Sequence, residues 1–169
     1  MNIMKTKLIL ILVLFFGVSI PSAIAKSNYP KIDFRTLTKI KNKANFKMFV
    51  PHELPPKWTL EVKIPYPLDI TKPINDIRLH YFSQDDEYMV GIQQFKETRN
   101  TILEKESVSP DYIVEKIFVN NHEGRFSPWW KTRGENGGYL SWVQDGTYIT
   151  MDSFNLTKDE MMKLAKLME

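Results

Sequence analysis

Residues 139–154 read "YLSWVQDGTYITMDSF", two runs of alternating apolar and polar residues that meet at Asp145-Gly146. Asp-Gly between such runs predicts a two-residue β-hairpin, because a type I′ turn demands positive φ and glycine accepts it without a Cβ clash. Counting outward from the turn sets the register. Gln144 faces Thr147, Val143 faces Tyr148, Trp142 faces Ile149, Ser141 faces Thr150 and Leu140 faces Met151. Side chains alternate sides along a strand, so Leu140, Trp142, Ile149 and Met151 form one apolar face, with Ser141 and Thr150 on the other. Trp142 is therefore expected in the core.

Downstream, "LTKDEMMKLAKLME" offers Thr157 as an N-cap and Glu160 three residues on, the spacing of a capping box. Met161, Leu164, Ala165 and Met168 follow as one apolar stripe, which predicts a C-terminal helix lying on the sheet. Upstream, "DYIVEKIFV" sets Ile113, Ile117 and Val119 on one side of a strand, and the polar "NNHEG" turns it toward "RFSPWW". "DIRLHYF" alternates Ile77, Leu79 and Tyr81 against Arg78, His80 and Phe82, and pairs through "SQDDE" with "YMVGIQQF". "TLEVKIP" alternates Leu60, Val62 and Ile64 with Thr59, Glu61 and Lys63, the mark of a half-buried strand. "DFRTLTKIKNKANF" spaces Phe34, Leu37 and Ile40 by three, a short amphipathic helix that ends near Phe46. Residues 96–110, "KETRNTILEKESVSP", carry no clean period and read as a surface loop or frayed helix. The sum is an α+β domain: an antiparallel sheet of about six or seven strands built from hairpins, with an N-terminal and a C-terminal helix packed on one face.

The chain opens "MNIMKTKLILILVLFFGVSIPSAIAKSN", where Lys5 and Lys7 precede an apolar run from Leu8 to Ile20 and the small-residue pattern Ala23-Ile24-Ala25. An apolar core of about 13 residues is short for a hydrocarbon layer of about 30 Å, so residues 1–25 read as a secretory signal peptide cleaved after Ala25. The alternative is a retained N-terminal membrane anchor. With Lys5 and Lys7 removed, 21 basic residues face 20 acidic ones and the net charge falls from +3 to +1. Nucleic acid, which needs several phosphates neutralised, is not an expected partner. The rest, residues 26–169, suits one domain that buries roughly two-thirds of its unfolded surface. With no cysteine there are no disulfides, thiolate metal sites or Cys nucleophiles.

Chemistry-bearing motifs are sparse. His52 and Glu53 are neighbours in "MFVPHELPPKW", and an extended backbone points adjacent side chains apart, so a turn is expected there in preference to a metal site. His80 and His122 are solitary, on a sheet surface or in a turn. Asp85, Asp86 and Glu87 lack the alternating spacing of a Ca²⁺ loop and suit a solvated hairpin tip. No GxSxG elbow, Gly-rich phosphate loop or Ser-Lys pattern occurs, and no cofactor or metal is expected. "RFSPWWKTRGENGGYL" is the exception, gathering Trp129, Trp130 and Tyr139 with Arg125, Lys131 and Arg133. Such a set stacks on a sugar or peptide and binds an acidic group. The competing reading sends one tryptophan into the core and leaves the other as a lid. "NLT" at Asn155 matches a glycosylation sequon by chance.

Taken in order and spacing, Pro51, Leu54, Pro55 and Trp58 of "VPHELPPKW", then Trp142, Gly146 and Tyr148 of the hairpin, then "LTKDEMMKLAKLM", resemble the bacterial family catalogued as domain of unknown function 4367. The resemblance runs from Phe34 to the end. It implies an extracytoplasmic domain of Gram-positive, often spore-forming bacteria, found alone or behind membrane anchors, anti-sigma-factor-like segments or modules similar to lipoprotein carriers. It assigns no catalytic residues. The chain departs from the family at Lys57, where the resemblance implies glycine; without it a type I turn with Pro56 in the first central position is expected.

The functional expectation is a non-catalytic secreted or cell-envelope-associated domain that binds or senses an extracytoplasmic partner, an envelope protein, peptide or glycan, through Arg125, Trp129, Trp130, Arg133 and Tyr139. The alternative is a carrier of apolar ligands, marked by an apolar cavity, or a cell-wall hydrolase, marked by converging carboxylates.

Overall fold

A computed structural model describes residues 34–64, 72–97, 114–129 and 136–169. The proposed leader, Ile113, Trp130 and Arg133 lie outside the described residues. Helix α1 (Phe34–Lys41) is followed by strands β1 (Thr59–Lys63), β2 (Asp76–Phe82), β3 (Tyr88–Lys96), β4 (Glu115–Val119), β5 (His122–Pro128), β6 (Asn136–Gln144) and β7 (Thr147–Thr157), then helix α2 (Lys158–Lys166). The architecture is mostly sheet, seven antiparallel strands in the order β1-β2-β3-β7-β6-β5-β4 with a C-terminal helix. Strand β7 leaves sequence order and inserts between β3 and β6, which ties the two halves of the chain into one sheet.

The Asp145-Gly146 hairpin has the expected register at all five pairs, and φ is +46° at Asp145 and +74° at Gly146, a type I′ turn. Trp142 is 2% exposed. The β4–β5 connection is tighter than expected. Asn120 and Asn121 both adopt positive φ and make the whole turn, so His122, Glu123 and Gly124 belong to β5. Asparagine tolerates this region better than most residues because its short amide bonds locally. At the β2–β3 tip Ser83 Oγ accepts from the Asp85 and Glu87 amides at 3.2 and 3.3 Å, so Asp85, Asp86 and Glu87 form a turn.

One face of the sheet is the core. Ile77, Leu79, Tyr81, Val90, Ile92, Leu140, Trp142, Ile149 and Met151 lie on it, all buried. α2 covers β7, β6 and β4 with Met161, Leu164 and Ala165. Its capping box is present: Glu160 N–H donates to Thr157 Oγ1 at 3.3 Å and Thr157 N–H donates to Glu160 Oε2 at 2.8 Å.

The segment between α1 and β1 is better anchored than a simple bend. Val50 and Glu169 exchange backbone hydrogen bonds at 3.2 Å, and His52 N–H donates to Leu167 O at 3.0 Å. His52 Nδ1 lies 2.8 Å from the same carbonyl, so this histidine ties down the end of α2. The turn that follows corrects the expectation at Lys57. Trp58 N–H bonds to Pro55 O at 3.3 Å and Lys57 has φ +71°, which with Pro56 in the first central position is a type II turn. The ring of Pro56 and the closure onto Trp58 outweigh the left-handed penalty at Lys57.

Among the described residues no helix is long and apolar enough to cross a membrane.

Candidate functional site

The face opposite α2 carries rows of polar side chains, with Phe82 and Phe118 also on it. A strand points alternate residues to opposite sides, and the pairing registers align those of the second face into rows that cross the sheet. One row runs Glu61, His80, Gly91, Asp152, Tyr139 and Ser127. The next runs Lys63, Arg78, Gln93, Thr150, Ser141, Arg125 and Lys116, one residue from each of the seven strands and every one polar.

The first row is built around a missing side chain. A Cβ at Gly91 would stand 2.1 Å from the Tyr88 hydroxyl and 2.9 Å from Asp152 Oδ1, so glycine leaves the space through which Tyr88 donates to Asp152 Oδ2 at 2.9 Å. His80 meets the Tyr88 ring edge-on at 5.3 Å, with Phe82 5.9 Å from that ring. Burial, with the nearby cations Lys63 and Arg78, pushes the His80 ring down to about 4, which keeps it neutral. Burial raises the Tyr88 hydroxyl, helped by the Asp152 charge, and burial raises the Asp152 carboxyl against the pull of Tyr88 and Arg78. Tyr139 hydrogen-bonds with the Thr150 and Tyr148 hydroxyls, and burial pushes it up to about 12.

Charges on this face divide by depth. Glu61 is 5% exposed, Asp152 is bound to Tyr88, and Asp76 accepts from Gln93 Nε2 at 2.8 Å, whereas Arg78, Arg125 and Lys116 are exposed. The exposed acid here, Glu123, pairs with Lys116 at 2.6 Å. The burial of Glu61 departs from the half-buried strand expected for "TLEVKIP".

Of the residues singled out from sequence, Arg125 and Tyr139 share this face, one row apart. Trp129 lies at the end of β5 and is neither core nor free. Its Nε1–H donates to Ser153 O at 2.6 Å, and its ring stacks on Phe154 at 5.1 Å and 14°. Gly137 has φ +86°, and a Cβ there would come within 2.7 Å of the Trp129 ring. Phe154, 59% exposed, and the Tyr88, Gly91 and Asp152 set were not singled out from sequence. The alternation in "DIRLHYF" sets His80 on the polar side, but Gly91 and Asp152 join it only through the pairing of β2 with β3 and of β3 with β7. Among the described residues no three His, Asp or Glu side chains gather as metal ligands.

A seven-stranded antiparallel sheet with a helix on one face and two polar rows on the other defines a sheet-and-helix domain. Residues 49–168 match the family described as Domain of unknown function (DUF4367), and the chain belongs to that family. No curated protein and no solved structure matched it.

Proposed function

We propose that this chain is an exported, non-catalytic domain that binds or senses an extracytoplasmic partner through the second face of its sheet. The observation that carries the reading is the split in charge depth on that face: Glu61 is buried and Asp76 and Asp152 are hydrogen-bonded, while Arg78 and Arg125 reach solvent, Arg125 on the strand next to Tyr139. The hydrophobic leader at residues 1–25 supports export, with cleavage after Ala25. On the other side, α1 joins α2 as cover, completing an α+β layer; Leu37 and Ile40 belong to the same buried cluster as Met161 and Leu164.

Ser141 is half-buried at the middle of the face, so Ser141→Trp puts a bulky ring there on a strand that tolerates it. Sedimentation of the variant with cell-wall and membrane fractions of a Gram-positive bacterium is expected to fall well below wild type, with the unfolding midpoint little changed. Wild-type sedimentation by the folded variant contradicts the reading.

A further inference from the structure

We infer that Phe154, backed by Trp129, is the platform of a glycan-binding site, on which a pyranose with equatorial hydroxyls lays its flat C–H face. This rests on the proposal that the second face is the contact surface, and it adds the chemistry of the partner.

Phe154 is 59% exposed, yet its surroundings are fixed on every side. Its ring lies nearly parallel to that of Trp129, at 14° with centroids 5.1 Å apart, so one side of the ring is covered and the other looks outward. Trp129 is held in turn by its Nε1–H, which donates to Ser153 O at 2.6 Å. The residues flanking Phe154 are pinned as well. Ser153 Oγ donates to Met89 O at 2.6 Å and accepts from the Leu156 amide at 2.9 Å, and Asn155 Nδ2 donates to Tyr88 O at 2.7 Å. Gly137 backs this corner with φ +86°, and a Cβ there would stand 2.7 Å from the Trp129 ring and 3.2 Å from Phe154 Cα.

A ring left this far in solvent adds little burial energy, so the constraints hold a surface in place and not a core. Sugars suit such a surface. Their axial C–H bonds point partial positive charge at the negative face of the ring, and a platform fixed in advance loses little entropy when it is covered.

Polar groups for the hydroxyls stand beside the platform. Asp152 lies two residues back on the same side of β7, with Tyr139 directly opposite it on β6. Tyr88 occupies Asp152 Oδ2, and a carboxylate with about four acceptor sites keeps capacity for a sugar hydroxyl. The same acid argues against an anionic lipid surface, the other apolar surface that takes exposed Phe and Trp. Trp129 Nε1–H, spent on Ser153, has no donor left for headgroups.

The test is saturation-transfer NMR titration of the purified protein with cellohexaose and chitohexaose, two chains of all-equatorial pyranoses, alongside co-sedimentation with phosphatidylglycerol vesicles. At least one hexasaccharide is expected to bind, with an affinity that salt leaves unchanged because no charge pair forms. Phe154→Leu keeps an apolar contact on Trp129 without the ring and is expected to weaken binding about tenfold, with an unfolding midpoint close to wild type. Phe154→Tyr keeps the ring and should bind as wild type does. Absence of binding to both sugars, equal affinity in Phe154→Leu and wild type, or vesicle binding that depends on Phe154 overturns the platform. If the sugars fail while Ser141→Trp still lowers envelope sedimentation, the platform falls and the contact face stands; if Ser141→Trp also sediments like wild type, both fall.

Discussion

Gln94 holds Phe49 by both groups of its backbone. The Phe49 N–H donates to Gln94 Oε1 at 2.8 Å, and Gln94 Nε2 donates to the Phe49 carbonyl at 2.7 Å. Both residues are 0% exposed. Gln94 stands on the core face of β3 among Ile77, Ile92 and Ile149, so an amide in an apolar layer fastens the segment before β1 to the sheet. Gln94→Leu keeps the volume and strands two buried peptide groups, and is expected to cost about 2–4 kcal/mol in urea unfolding. A loss below 1 kcal/mol, within the range of an ordinary surface change, contradicts the clamp.

Lys57 carries a left-handed backbone without glycine's freedom. The penalty for such a residue is about 1–2 kcal/mol, and glycine's extra unfolded-state entropy returns about half of it. Lys57→Gly is therefore expected to stabilise by about 0.5–1 kcal/mol, seen as a raised denaturant midpoint with an unchanged slope. Destabilisation would mean that the turn is not type II.

Gly91 keeps room for the Tyr88 hydroxyl. Gly91→Ala forces the ring away from Asp152 and is expected to cost about 1–2 kcal/mol from crowding and the broken hydrogen bond. The specific sign is spectrophotometric. Of the tyrosines held above the ordinary range in wild type, Tyr88 should move down toward it in the variant, and unchanged tyrosine titration contradicts the arrangement.

His80 predicts a pH dependence. The unfolded imidazole takes a proton near 6.5, whereas the folded ring refuses it until about 4. Folded stability from this group is therefore complete above about pH 6.5 and lost as pH falls toward 4. The ring is half-exposed, so after allowance for solvent screening the loss is about 1–2 kcal/mol. Asp152 runs the other way, since its raised carboxyl keeps a proton longer when folded. Comparing wild type with His80→Gln isolates the ring: the variant should lose less stability between pH 6.5 and 4. Parallel curves contradict the assignment.

What the sequence disclosed follows the range of the interactions. The Asp145-Gly146 hairpin, its register and the Thr157-Glu160 capping box depend on residues a few positions apart, and each is as expected. The C-terminal stripe is buried for the same reason. The row from Lys63 to Lys116 depends on which strands are neighbours, and that order turns on β7 pairing with β3 across about fifty residues. No local pattern carries that information. The local sequence around His52 indicates only a turn, because its partners, Leu167 and Glu169, lie at the other end of the chain. Lys57 adopts a type II turn that its residue type alone does not predict, because Pro56 and Trp58 close the turn around it. Of the expected contact residues, Arg125 and Tyr139 come together by alternation, and Trp129 is fixed by Ser153 O and Gly137, positions that spacing does not link to it.

The central claim is that the sheet's second face, not the helix-covered one, meets the partner. Hydroxyl-radical footprinting of the protein with and without Gram-positive envelope fractions tests it most directly. The account predicts that Tyr139 and the exposed Phe118, both on the second face, become protected, while Met162 of α2 keeps its reactivity. Protection of Met162 with Tyr139 and Phe118 unchanged would contradict it.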